Sequence, residues 1–281
     1  MSARSIQIVT LPSGRAMPAF GLGTWRMGEN ARKRRDEVDA LRHGIDLGVT
    51  LIDTAEMYGD GEAERIVAEA AGGNRDRLFI VSKVLPENAS RRGTVAACER
   101  RLKRLKTDRI DLYLLHWRGS PPLTETLEAF VSLRAAGKIR DWGVSNFDMA
   151  DMADLSRVAH EQAGTNQVLY NLTRRGIEFD LMPWCRERKI PIMAYSPMEQ
   201  GRMLGHPALR AVAGRHDATP AQVALAWLLR QDGMIVIPKA GSRPHVEEDI
   251  AALDLTLDSE DLAALDRAFP PPSKATSLDM L

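Results

Sequence analysis

Cysteine is scarce in this chain of 281 residues: there are two, Cys98 and Cys185. Two thiols cannot build a disulfide framework in a chain this long, and no C-x-x-C pair points to a metal knuckle or redox motif. Both are expected to be free, on helices, and at least half buried. Net charge is also missing, because 38 Lys and Arg balance 38 Asp and Glu. Broad nucleic-acid or membrane-surface binding calls for a basic surface, so neither partner is expected. A small local anion site stays open. No stretch reaches the roughly 20 apolar residues of a membrane helix, and the opening MSARSIQIVTLPSG has no apolar core of a secretion signal. The expected compartment is the cytoplasm. None of the six histidines stands in an H-x-H pair, which speaks against the clustered ligands of a metal-dependent hydrolase; no metal is expected. Repeats, low-complexity segments and linkers are absent too. With no long exposed apolar run, one domain over residues 1–281, working as a monomer, is expected.

What the chain does have is rhythm. Ser5–Thr10, the turn Pro12-Ser13-Gly14 and Arg15–Met17 read as a short hairpin. Strand-length apolar runs then alternate with helix-length amphipathic ones. The strands are Phe20–Gly23, Thr50–Asp53, Leu78–Lys83, Asp111–His116, Asp141–Ser145, Asn166–Tyr170, Pro191–Ser196 and Met234–Lys239. The helices are Arg35–Leu47, Glu62–Ala71, Thr94–Leu105, Leu123–Ala136, Met149–Ala159, Asp180–Lys189 and Ala221–Arg230. A further helix should start near Pro244, and a last one should run from Asp258 to about Ala268 before Pro270-Pro271-Pro272 and a short tail. Thr219-Pro220-Ala221-Gln222 fits a capping box, with Thr219 as N-cap and Pro220 at the first helical position. Runs such as Leu112-Tyr113-Leu114-Leu115 imply strands buried on both faces, as in a parallel sheet wrapped by helices. Eight such units imply an α/β fold, the closed (β/α)8 TIM barrel with an N-terminal β-hairpin and a C-terminal helix and tail. An open doubly wound sheet is the rival. It would normally carry G-x-G-x-x-G after its first strand, and Gly21-Leu22-Gly23-Thr24-Trp25-Arg26 lacks the third glycine.

A barrel of this kind places its site at the C-terminal strand ends. There the sequence sets Asp53, Lys83, His116, Ser145-Asn146, Tyr195-Ser196-Pro197 and Lys239. Each alone has an ordinary reading as a cap, a packed ring or a solvated charge. Together they converge on one mouth.

The segments Leu51-Ile52-Asp53-Thr54-Ala55-Glu56-Met57-Tyr58-Gly59, Val81-Ser82-Lys83-Val84, Leu114-Leu115-His116-Trp117 and Gly143-Val144-Ser145-Asn146-Phe147 resemble, in order, the motifs of the aldo-keto reductase family. Asn166-Gln167, Ala194-Tyr195-Ser196-Pro197 and Ile237-Pro238-Lys239 extend the match, which runs from about Gly21 to Phe269. Within the family the chain looks closest to bacterial reductases of small aldehydes such as methylglyoxal.

The resemblance implies NADPH as cofactor and a small carbonyl compound as substrate. It makes Tyr58 the general acid and completes a tetrad with Asp53, Lys83 and His116. Tyrosine holds its proton at neutral pH, and a nearby ammonium should make it a better acid. Lys83 would supply that ammonium and Asp53 would hold it, while His116 would orient the carbonyl oxygen. Asp53 and Thr24 also belong to the implied coenzyme set. Ser145, Asn146 and Gln167 match the positions that bind the carboxamide of the nicotinamide, and Tyr195 matches the ring stacked on it. Ser196, Pro197 and Met198 would line the pyrophosphate path. Lys239, Ala240 and Ser242 match the stretch that meets the 2′-phosphate. Where many members have arginine there, this chain has His245, with Arg243 close enough to substitute. Where many have asparagine near the adenine, it has Asp249, after Glu248.

Trp25 and Trp117, with Tyr58 and His116, would form the substrate pocket. The loop Trp117–Pro122 and the tail after Phe269 are short, so an open pocket with few walls is expected. The alternative function is a non-enzymatic NADPH-binding regulatory module on the same fold.

Overall fold

The computed structural model describes residues 5–281. The first four residues of the expected domain, and of the opening stretch scanned for a secretion signal, lie outside it. Strands β1 (Ile8–Thr10) and β2 (Ala16–Pro18) pair antiparallel as the expected hairpin, although Ser5, Ile6 and Gln7 stay outside the strand.

Eight parallel strands follow: β3 (Gly21–Gly23), β4 (Leu51–Asp53), β5 (Phe79–Val84), β6 (Ile110–Leu115), β7 (Ile139–Ser145), β8 (Asn166–Leu169), β9 (Ile192–Tyr195) and β10 (Met234–Val236). Each pairs with the next in chain order. The ends β3 and β10 meet through a parallel bridge between Phe20 and Val236, closing the barrel. Gly23 N–H donates to the Pro238 carbonyl at 2.7 Å, and Val236 N–H to that of Ala19 at 2.8 Å.

Around it lie α1 (Arg34–Asp46), α2 (Glu62–Ala71), α3 (Arg91–Leu105), α4 (Leu123–Ala135), α5 (Met149–Val158), α6 (Leu181–Glu187), α7 (Pro207–Arg215), α8 (Pro220–Leu229), α9 (Arg243–Ala251) and α10 (Ser259–Ala268). The capping box at Thr219 and Gln222 is present, and a second one joins Asp258 to Asp261 ahead of α10. Helix α7 was not anticipated. Its nine residues carry three alanines and a glycine, so its buried face shows only Leu209, Val212 and Ala213. Among the described residues no helix is long and apolar enough to cross a membrane.

Period-two alternation along the strands determines what the barrel holds. Leu51, Phe79, Val81, Leu112, Leu114, Met193, Ile235 and Ile237 form an apolar cluster of their own, apart from the larger core between strands and helices. Leu11 and Met17 of the hairpin join this inner cluster, and Arg15 pairs with Asp141 near the start of β7 at 2.6 Å. The hairpin therefore plugs the N-terminal end. One step of two residues beyond the cluster, the same strand faces reach Asp53, Lys83, His116, Tyr195 and Lys239. The apolar filling stops and the polar layer begins within one residue pair on strand after strand.

Closure depends on a bare backbone at Gly23, where a Cβ would stand 2.8 Å from the Ile237 carbonyl oxygen. Gly23→Val should destabilise the fold by about 2 kcal/mol through forced separation of β3 from β10. Chemical denaturation of the two proteins reads the difference, and an unchanged midpoint would show that the seam tolerates a side chain.

Candidate active site

The register Asp53↔Val81 places Lys83 two residues further along β5 than the neighbour of Asp53, on the same inner face. Strand tilt makes this stagger possible, and the lysine leans across to its partners. Its Nζ donates to Asp53 Oδ2 at 2.8 Å and to the Thr54 carbonyl at 3.0 Å, and lies 3.2 Å from the Tyr58 hydroxyl. Tyr58 opens a 3-10 turn, Tyr58–Gly61, in which Gly59 has φ +56°. A Cβ on Gly59 would sit 2.7 Å from the Met27 carbonyl oxygen, so glycine lets the turn press inward. His116 follows β6, with its amide bonded to the Val84 carbonyl at 2.9 Å. Its ring meets that of Tyr58 edge-on at 6.0 Å between centroids.

The expected tetrad is thus assembled, and further expected residues surround it. Gln167 Nε2 donates to Asp53 Oδ1 at 2.8 Å, so the carboxylate holds lysine with one oxygen and the amide with the other. Ser145 Oγ donates to the Gln167 carbonyl at 2.8 Å. Tyr195 donates to Asn146 Oδ1 at 3.0 Å, and Asn146 Nδ2 to the His116 carbonyl at 3.1 Å. Thr24 is buried and donates to the Asp53 carbonyl at 3.0 Å, which places it behind the site.

Burial controls the protonation of these groups. It pushes the Tyr58 phenol well above its ordinary value, and the Asp53 charge adds to that. The acidifying influence expected of Lys83 is outweighed by burial, and Tyr58 keeps its proton. Burial lowers Lys83, while Asp53 opposes the loss of its charge. His116 is held down to about 2, by burial first and then by the cations Lys83 and Arg101. It is a neutral imidazole with one N–H to donate, and its Nδ1 has no hydrogen-bonding partner.

A cavity of about 710 Å³ opens on this cluster and runs to the far side of the barrel mouth. Trp25, Tyr58, His116 and Trp117 line one end, Tyr195, Ser196, Pro197 and Met198 its middle, and Lys239, His245, Glu248 and Asp249 the other. Its length, its amide-bearing end and the cation Lys239 fit an elongated phosphate-bearing coenzyme, and the first turn of α9 adds free backbone amides near Lys239.

Besides Thr24, three expected coenzyme residues stand outside the lining. Ala240 is buried. Ser242 caps α9 and contacts His245 Nδ1 at 3.2 Å. Arg243 is clamped by Asp39 of α1 through two bonds of 2.6 Å each. The substitute arginine is thus engaged by a carboxylate in a helix far away in sequence, a pairing invisible to local reading.

The tail departs from expectation too. Met280 and Leu281 line the cavity, and the Leu281 backbone hydrogen-bonds Tyr195. Arg174 grips Asp279 at 3.3 Å and the buried Glu199 at 3.0 Å, which fixes the segment across the mouth. The pocket has a wall where an open side was expected. The aperiodic tail gave no signal of this. Met57, Gln200, Gly201 and Leu204 also line the cavity, unanticipated because they belong to loops.

Asp249 is 3% exposed, and burial, reinforced by Glu248, raises its carboxyl to about 8. A carboxyl raised on folding costs no stability below its unfolded value of 3.8, a growing amount as pH climbs, and a constant amount above about 8. Asp249→Asn should leave stability at pH 4 nearly unchanged and raise it by about 5 kcal/mol at pH 8. Denaturation of the coenzyme-free protein at the two pH values checks this; equal gains at both would remove the titration of Asp249 as the cause.

The model of the Aldo/keto reductase family matches residues 19–269. Methylglyoxal reductase YeaE of Escherichia coli (strain K12) is 51% identical over 272 residues, covering 95% of this chain and 96% of that protein. Glyoxal reductase of Bacillus subtilis (strain 168) is 36% identical, covering 92% and 91%. The crystal structure of an aldo-keto reductase from Klebsiella pneumoniae in complex with NADPH superposes with a TM-score of 0.95 at 52% identity, over 99% of this chain and 100% of that one. With a closed eight-stranded barrel, a polar cluster at its C-terminal strand ends and these matches over nearly its whole length, the chain belongs to the aldo/keto reductase family.

Proposed function

We propose that this protein reduces small aldehydes and α-dicarbonyls, methylglyoxal among them, to alcohols, and that Tyr58 delivers the proton. The observation that carries the reading is the convergence of Tyr58, Lys83, Asp53 and His116 at a cavity of about 710 Å³ that Lys239 also lines. The protein is an NADPH-dependent oxidoreductase of its family. Two relatives named for reducing methylglyoxal and glyoxal support the substrate class. So does the substrate end, walled by Trp25, Trp117, Met57 and the tail, which suits a small apolar-edged carbonyl compound.

Bound NADPH supplies the hydride; the chain supplies everything else. The carbonyl oxygen sits between the Tyr58 hydroxyl and the neutral His116, whose N–H fixes its direction. As negative charge grows on that oxygen, Tyr58 gives up the proton that burial had kept on it. The phenolate left behind faces Lys83 Nζ, 3.2 Å away, which stabilises it without moving. Asp53 and the Thr54 carbonyl hold the ammonium in that position. Ser145, Asn146 and Gln167 would hold the carboxamide of the nicotinamide, and Tyr195, which lines the cavity beside them, would hold its ring. Lys239 and His245, beside the first turn of α9, receive the 2′-phosphate.

Tyr58→Phe should lower kcat with NADPH and methylglyoxal by about 100-fold or more, followed by coenzyme absorbance, while fluorescence titration shows NADPH still bound. A near-normal rate in that variant would sink the assignment. Failure of the wild-type protein on a broad aldehyde panel, with NADPH bound tightly, would favour a coenzyme sensor instead. For the coenzyme, kcat/KM with NADPH should exceed that with NADH by about tenfold or more, worth 1.4 kcal/mol for each factor of ten. Lys239→Met should erode that preference chiefly through KM. Equal efficiency with both coenzymes would overturn it.

A further inference from the structure

We propose that Arg101 is a positioning residue for the reaction: its guanidinium ties the strand that carries Lys83 to the loop that carries Tyr58, and so sets the distance between them. The inference rests on the reading of Tyr58 as acid. Arg101 lies on the inward face of α3, beside Ala97, Cys98, Leu102 and Leu105, and its side chain is fully buried. A core-facing helix position is filled most simply by an apolar side chain, since a buried ion loses its hydration. Its partners explain the arginine. Nε donates to the backbone carbonyl of Lys83 at 3.1 Å. Nη2 is in ion-pair contact with Glu56. Glu64, itself fully buried, stands 3.7 Å from Nε, and the guanidinium lies 5.4 Å from the centre of the Tyr113 ring.

Glu56 stands between Asp53 and Tyr58, two residues before the tyrosine. It is locked a second time, by the Leu85 N–H at 2.8 Å, just beyond β5. One cation and one carboxylate thus bolt the tyrosine loop to the end of β5 at two points, the Lys83 carbonyl and the Leu85 amide. Arg101 itself does not line the cavity. It acts through the two residues it holds, and the 3.2 Å gap between Lys83 Nζ and the Tyr58 hydroxyl is what it maintains.

The test compares full-length Arg101→Lys, Arg101→Met and Glu56→Gln with Arg215→Met, which takes a cation from the buried Asp261 (3.0 Å) between α7 and α10, outside both catalytic segments. Four readouts are needed: kcat and KM for methylglyoxal at saturating NADPH, the NADPH Kd by fluorescence, the melting temperature, and the deuterium isotope effect on kcat. The Arg101 and Glu56 variants should lose about 10- to 100-fold in kcat, the scale of a 1 Å misplacement. Their NADPH Kd should stay within about twofold, well inside the tenfold change that 1.4 kcal/mol represents, and their isotope effect should rise. Arg101→Lys, which keeps the charge, should retain more kcat than Arg101→Met. Arg215→Met should lower only the melting temperature. Should Arg101→Met fail to fold, Arg101→Lys and Glu56→Gln still decide. Variants that melt earlier but keep wild-type kcat and isotope effect would reduce Arg101 to a structural ion. That outcome together with a collapsed Tyr58→Phe overturns this proposal alone, whereas an active Tyr58→Phe overturns the reading beneath it.

Discussion

Everything at the barrel mouth answers to one buried ion pair, Lys83 with Asp53. Stripping water from two such ions costs several kcal/mol each, and their attraction offsets that only when the remaining bonding positions are filled. Here they are filled from several strands. Asp53 spends its second oxygen on Gln167, and Lys83 takes the Thr54 carbonyl. The next group within reach of the ammonium is the Tyr58 hydroxyl. A cation bonded on two sides and open on the third is poised to stabilise negative charge at that third side, which is where a phenolate would form.

Burial first, and the same pair after it, keeps its neighbours neutral. A second cation beside Lys83 would be costly, and His116 accordingly stays uncharged. A second anion beside Asp53 would be costly as well, and Tyr58 stays protonated. Both neighbours are donors in those states. A pocket with one fixed ion pair and two neutral donors suits a carbonyl oxygen, which arrives neutral and gains charge only as it reacts.

What the sequence made legible was the part governed by period. Alternation along a strand says which residues share a face, and the apolar run says where the filling ends. Asp53, Lys83, His116 and Tyr195 could be placed at one mouth from those two facts. The family resemblance then distinguished among them. What stayed hidden depends on contacts between segments distant along the chain. Arg243 looked free until Asp39 of α1 came beside it. The tail looked absent from the pocket until Arg174 anchored Asp279. Arg101 is one of several arginines in α3, and no neighbour in sequence sets it apart. Only packing against β5 shows that it faces inward. Helix α7 was missed for a different reason, a lack of large apolar residues to mark its face.

These hidden contacts share a physical character that local pattern cannot express. An arginine carries five donors in a rigid fork, so it can join segments that have no other reason to approach each other. Arg174 joins the tail to the loop along the coenzyme path, and Arg101 joins the lysine strand to the tyrosine loop. Each binds two elements with separate tasks, the first at the cavity wall and the second behind the proton donor. A barrel fixes its strands by their ladders but leaves the loops above them to find their own supports. In this chain charged forks supply those supports, and their partners lie from about 20 to more than 100 residues away in sequence. The ladder sets where the catalytic side chains begin, and the forks set where the ends of those side chains come to rest.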